Sequence, residues 1–301
     1  MNAFRSLPKP ALARLAGLGA FVFLMVAGGL LVWRVRGIRD GDALAQARQS
    51  GVIRIGYAVE APYAFLTPDG KVTGESPEIA RLIAERLGMS RVDWRLDHFG
   101  SLIEGLEARR FDVIAAGMFI TPERRMRVAF SQPTFHVGTG LLVRKGNPHG
   151  LHSHADLLQK INIRIAVLSG SVEESHLLQM GCPEARLVRV PDALSGRSAV
   201  LSGHADALAL SAPTIRWMVM NPVAGLTEMA EPFQMAAGDM TLQRAAGGFA
   251  FRKEDRALCR AWDEELSRFI GSEEHRRLVR DFGFNAVELP PAEAARSGPA
   301  P

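Results

Sequence analysis

Runs of apolar residues in this chain alternate with segments of mixed polarity, and the alternation predicts strands and helices in turn. Val52 to Ala58 reads as a strand, Pro77 to Leu87 as a helix, Val92 to Leu96 as a strand, Leu102 to Ala108 as a helix and Val113 to Met118 as a buried strand. A Pro68-Asp69-Gly70-Lys71 turn separates the first two. The theme recurs further along. Helical segments at His154 to Gln159, Val172 to Gln179 and Ser195 to Ser202 alternate with strands at Ile163 to Leu168, Arg186 to Val190 and Ala207 to Leu210. This βα alternation predicts layered α/β sheets, and its repetition is most simply met by two α/β lobes. Near the C-terminus, Leu258, Trp262, Leu266 and Phe269-Ile270 recur at helical spacing, so 258–270 and 273–282 are expected to be helices with core-facing stripes.

The first 39 residues follow a different pattern. Leu15 to Trp33 is a run of 19 uncharged, mostly apolar residues flanked by Arg5, Lys9 and Arg14 and by Arg34, Arg36 and Arg39. That length suits a hydrocarbon core of about 30 Å and exceeds the usual apolar region of a cleaved leader. The reading is a signal peptide or, preferably, an uncleaved signal anchor over 1–39, with membrane contact through Leu15 to Trp33. Residues 40–51 then read as a tether or a short leading helix, with Ala43 to Ala47 helix-prone. From Pro290 onward the Pro, Ala, Gly and Ser content predicts a disordered tail.

Composition narrows the partners. The 301 residues are 47% apolar, enough for a substantial core, and the formal net charge is +4. Six of the 36 basic residues and none of the 32 acidic ones precede Asp40, so the remainder carries a net −2. That leaves no basic footprint for nucleic acid. Cys182 and Cys259 lack metal-ligand spacing, and His149, His152 and His154 have no closing carboxylate or cysteine, so no metal or other cofactor is expected.

Chemistry concentrates in Ala115 to Arg124, followed by Val128 to Pro133. A strand running into a small-residue loop there would present amides after Gly117, the Thr121 hydroxyl and the Arg124 guanidinium, a set suited to a small carboxylate. The same Thr-Pro-Glu-Arg is also a good capped helix start. Ser169-Gly170-Ser171-Val172 opens a second helix whose amides and hydroxyl favour anions, and it reads equally as a plain cap.

These segments and their order resemble the solute-binding proteins of ABC importers in the class that binds polar amino acids. Gly56 to Tyr63, Phe99 to Ile103, Ala115 to Arg124, Leu141 to Pro148 and Phe249 to Asp255 carry the resemblance, which spans about Val52 to Pro290. Within that class the likeness is to ectoine- and hydroxyectoine-binding members. It implies a two-lobed periplasmic-binding fold of type II, with lobe 1 at 52–137 and 246–289, lobe 2 at 138–245, and two crossover strands, His136 to Leu142 and Ala246 to Phe251. The two cysteines would then lie in different lobes, unpaired.

The resemblance also implies a site. Tyr63, Phe99 and Phe119 would form an aromatic cage for a delocalised cation. Glu60 would pair with the cationic end of the solute, and Arg124, with Gly117 and Thr121, would hold its carboxylate. Gly170, Ser171, Val172 and Asp192 would close from lobe 2, although Asp192 also reads as a simple helix cap. Ordinary amino-acid binders commonly have a hydroxyl where Phe119 stands and an aspartate near Ser211, so here a localised ammonium would lack its usual lobe-2 partner. The function implied is extracytoplasmic capture of a small zwitterion for an ABC permease, without chemistry on the solute. The rivals are a cyclohexadienyl dehydratase on the same scaffold, with Glu173 or Glu174 as its acid, and a membrane-anchored sensory domain.

Overall fold

The computed structural model describes residues 43–220, 225–234 and 244–290. The apolar run Leu15 to Trp33 and the tail after Pro290 lie outside the described residues, among which no helix is long and apolar enough to cross a membrane.

Two sheets organise the chain. In the first, β4 (Arg91–Leu96), β1 (Val52–Tyr57), β5 (Val113–Phe119), β13 (Ala245–Arg252) and β6 (Val128–Phe130) lie in that order, and β7 (Phe135–Val137) also pairs with β13. In the second the order is β10 (Leu187–Val190), β9 (Ile165–Leu168), β11 (Ala207–Ser211), β8 (Thr139–Arg144) and β12 (Thr227–Met229). Strands β1, β4 and β5 run parallel, as do β9, β10 and β11, while β13 and β8 enter antiparallel. Each sheet thus sets its parallel strand ends toward one edge, where α/β proteins place ligands. The expected crossover strand from His136 to Leu142 breaks at Gly138, so that β7 belongs to the first sheet and β8 to the second.

Strand β5 is buried along its whole length, as parallel strands covered on both faces are. Its cover includes α2 (Glu75–Arg86), which contributes Ile79 and Ile83, and α9 (Arg256–Phe269), whose Leu258, Trp262, Leu266 and Phe269 form one buried stripe. Trp262 meets the rings of Phe249 and Phe251 edge-on. Beyond α9, α10 (Glu273–Arg280) buries Val279 in the same core.

Three local features complete this picture. Of the two readings of 40–51, tether or short leading helix, the structure has the helix, α1 (Ala43–Ser50), with Ala43, Leu44 and Ala47 buried in the first core and Arg48 Nε donating to the Leu87 carbonyl at 3.0 Å. A two-residue-per-strand hairpin, β2 (Phe65–Leu66) and β3 (Val72–Thr73), brackets the 68–71 turn. Helix α8 (Ala212–Met220) follows β11 directly and carries residues that reach the first lobe.

Candidate functional site

The site is assembled at the carboxyl ends of five parallel strands, β1, β4 and β5 from one sheet and β9 and β11 from the other. After β1 the chain makes a tight loop in which Glu60 and Ala64 exchange backbone hydrogen bonds of 2.8 and 3.0 Å. That loop points the side chains of Glu60 and Tyr63 into the space between the lobes. Phe99 opens a single 3-10 turn after β4, and Phe119 is the last residue of β5. From lobe 2, β9 ends at the cap of α6 (Val172–Gln179), bringing Ser171, Val172 and Glu173, and β11 ends at Ser211. These residues, with Gly117, Arg124 and Leu210, line a small cavity of about 20 Å³. Gly117 has φ +62°, and a Cβ there would lie 2.4 Å from the Tyr63 ring, so the ring rests on the glycine.

The lobes touch at several points. Arg124, in the first turn of α4 (Pro122–Arg127), donates from Nη1 to the Phe119 carbonyl at 2.7 Å and from Nη2 to the Gly170 carbonyl across the cleft at 2.8 Å. Its guanidinium also sits 5.5 Å from the centre of the Phe99 ring. Two of its five N–H groups are thereby used. A line of hydroxyls makes the second bridge. Tyr63 donates to Ser211 Oγ at 3.2 Å, Ser211 to Thr214 Oγ1 at 3.0 Å, and Thr214 to Glu60 Oε1 at 2.9 Å. Outside the cavity, Arg216 on α8 pairs with Glu288 at 2.6 Å, and Trp217 packs its ring 5.5 Å from that of Phe65.

Electrostatics set this cavity apart from an ordinary buried cleft. Burial, and then repulsion from Glu173, push the Glu60 carboxyl up to about 8. Burial pushes Glu173 up to about 7 despite the nearby Arg124. Burial likewise lowers Arg124 to about 10, against the pull of both carboxylates, Glu173 the stronger. One oxygen of Glu173 is buried without a hydrogen-bond partner. Two carboxyls share one guanidinium, so an empty cavity favours retention of a proton and has an excess of acceptors.

The family model for bacterial extracellular solute-binding proteins, family 3, matches residues 53–285. The chain belongs to this family. A family 3 relative, the probable amino-acid ABC transporter periplasmic-binding protein y4tE of Sinorhizobium fredii, is 34% identical over 91% of this chain and 90% of its own. EhuB, solved in complex with hydroxyectoine, superposes with a TM-score of 0.75 at 34% identity, covering 84% of this chain and 94% of that one. The ancestral amino-acid-binding protein AncCDT-1, described as a precursor of cyclohexadienyl dehydratase, superposes at 0.68 with 25% identity over 79% and 98% of the two chains. The family 3 chain described here is accordingly an extracytoplasmic solute-binding protein of an ABC transporter system, with the two-lobed fold of that family.

Several family 3 site expectations are altered by the geometry. Thr121 does not line the cavity: its Oγ1 caps α4 by accepting from the Arg124 amide at 3.2 Å. The carboxylate of Asp192 accepts from the Ser195 amide at 2.7 Å and caps α7 (Ala193–Leu201), away from the cavity. The Gly117 amide is not free either, since it donates to Ser76 Oγ at 3.1 Å, and Ile120 N–H, beyond Phe119, bonds to Ala246. Strand pairing therefore continues where a loop was expected, and Phe119 is a strand residue. Gly170 meets the site through its carbonyl. Ser171 caps α6 while its side chain stays at the cavity wall. Glu173 lies beside Ser211 in the cavity wall, so lobe 2 does bring a carboxyl to the site. From sequence Glu173 reads only as a candidate catalytic acid, and Thr214 is not singled out. A buried hydroxyl on an apolar helix was the one signal that could have marked Thr214.

Proposed function

We propose that this chain captures a small zwitterion, an ectoine- or hydroxyectoine-like compatible solute or an amino acid, and delivers it to an ABC permease. The observation that carries this reading is the pairing, in one cavity between the lobes, of the Arg124 fork with two buried carboxyls, Glu60 and Glu173, among Tyr63, Phe99 and Phe119. The solute carboxylate accepts from the N–H groups that Arg124 has left. The cationic end lies against the ring faces and meets Glu60 and Glu173, one of which ionises fully as it does so. The hydroxyectoine complex of EhuB supports the solute class, and the name of the Sinorhizobium relative supports the amino-acid alternative. Solute contacts made only in the closed form bias the lobes toward closure, and the permease reads that form. In this reading residues 52–137 and 246–289 form lobe 1 and 138–245 form lobe 2, and the run Leu15 to Trp33 holds the receptor at the membrane.

The test is calorimetric titration with ectoine, hydroxyectoine, glycine betaine, glutamine and arginine. Saturable binding that is lost in both Phe119→Ala and Arg124→Ala supports the reading; binding that survives both removes it. A second reading, dehydration of a prephenate-like acid, draws on Glu173, whose buried carboxyl near pH 7 is suited to protonating a leaving hydroxyl. Release of phenylpyruvate from prephenate would establish that activity. Solute binding without turnover favours the importer role.

A further inference from the structure

The four-membered line Tyr63, Ser211, Thr214 and Glu60 crosses the cleft twice. Tyr63 and Glu60 belong to the first-lobe loop, while Ser211 and Thr214 belong to the end of β11 and the start of α8. All four side chains are buried, and Thr214 is wholly inaccessible. Each hydroxyl has a single proton to donate. With a carboxylate at one end, all three protons are committed in its direction, from Tyr63 through Ser211 and Thr214 to Glu60. The oxygens of Tyr63 and Ser211, both at the cavity wall, are then left with lone pairs only. The second oxygen of Glu60 and the unpartnered oxygen of Glu173 add two more acceptors to the same wall. Were the line cut at Thr214, Ser211 could turn its proton into the cavity instead.

We propose that Thr214, acting through Ser211, is a positioning residue that commits this wall of the cleft to accepting hydrogen bonds, so that the cleft selects a cation bearing N–H groups over a fully methylated one. The proposal rests on the reading that Glu60 meets the cationic end of the solute. Ring faces alone accept either kind of cation. A quaternary ammonium, however, leaves buried acceptors unpaired, and a site built to hydrogen-bond a donor discriminates strongly against an analogue that lacks it. The charged and titratable groups facing Glu60 are Glu173 and Arg124, with Tyr63 beside it, and Thr214 is the hydrogen-bond donor that favours its ionised form.

The full chain, with Thr214→Val, Thr214→Ser and Ser211→Ala, is titrated with ectoine and with glycine betaine between pH 6 and 9 (the N–H-bearing and the fully methylated probe). The native chain is expected to favour ectoine by at least about a hundredfold. Thr214→Val should lose about tenfold in ectoine affinity at neutral pH, shrink the preference, and move the pH midpoint of binding upward, because Glu60 loses the donor that favours its charge. Thr214→Ser should restore all three. Thr214→Val with an unchanged preference and midpoint overturns the proposal, as does a native preference for betaine, which would leave solute capture itself intact. If the chain binds only an amino acid, the same comparison with its N-trimethylated form decides. If Thr214→Val does not fold, Ser211→Ala decides, since it cuts the same line. Glu60→Gln tests the underlying reading separately: undiminished binding in that variant refutes the role of Glu60.

Discussion

Replacing Gly100 with alanine tests whether the lobes must come as close as they do here for a solute to be held. Gly100 lies in the 3-10 turn after β4, and a Cβ there would sit 3.0 Å from the Ser169 carbonyl oxygen and 3.8 Å from the Gly170 Cα, all across the cleft. Its backbone lies outside the left-handed region, so alanine adds no strain within lobe 1. The clash exists only when the lobes are closed. Relief requires the lobe-2 loop to retreat by a few tenths of an ångström, which stretches the 2.8 Å bond from Arg124 to Gly170. Overpacking of this kind costs roughly 1–2 kcal/mol, or about 5–30-fold in affinity. Gly170→Ala should cost more, since its Cβ would approach Gly100 Cα to 2.8 Å. But its φ of +78° penalises alanine in the open form too, which makes Gly100 the cleaner site. The assay is calorimetric affinity for the solute, with the melting temperature of the solute-free protein as control. Weaker binding at unchanged stability is expected; native affinity in Gly100→Ala would sink the idea that this contact belongs to the solute-holding form.

Other consequences concern charge and packing. Glu60, Glu75 and Glu173 are all raised by burial, to about 8, 7 and 7, so their contribution to stability is complete below about pH 4.5 and is lost as pH rises through 7 to 8. The solute-free protein should therefore melt at progressively lower temperature from pH 6 to 8.5, and Glu173→Gln should flatten that slope; a slope unchanged by the substitution would contradict the assignment. Arg124→Lys keeps the charge but cannot reach both carbonyls and a solute carboxylate with one planar fork, so affinity should fall about 10- to 100-fold by titration, and near-native affinity would mean that charge alone suffices. Leu44→Ala should cost about 2–3 kcal/mol in denaturant unfolding, whereas a loss below about 0.5 kcal/mol would show that α1 is not part of the first core.

The sequence carries more of the fold than of the site, for physical reasons visible in particular residues. Strands such as β5 and β11 announce themselves because both faces are covered and nearly every position is apolar. Tyr63, Phe99, Phe119 and Arg124 could be singled out because they follow strand ends within one lobe, where local order already implies proximity. Glu173 and Thr214 depend instead on how two lobes meet, and no local pattern encodes a docking angle. Thr121 and Asp192 show the ambiguity of helix starts. A cap and a ligand contact call for the same side chains there, both readings stood open, and in both cases the backbone amide three residues on donates to the side-chain oxygen. The choice between tether and leading helix stayed open because Ala43 to Ala47 has only a narrow apolar stripe, which suffices here because α9 lies beside it.

The position of β13 bears on how the chain is made. This strand, residues 245–252, is inserted between β5 and β6, in the interior of a sheet whose other strands all come from the first half of the chain. Until the ribosome has passed Arg252, that sheet has an unfilled slot and Phe249 and Phe251 are missing from its core. Folding of the first lobe must wait for a pairing across more than a hundred residues, which is intrinsically slow. For a protein that acts outside the cytoplasm, such an order of assembly would keep the first lobe open, and so threadable, until residue 252 has been made.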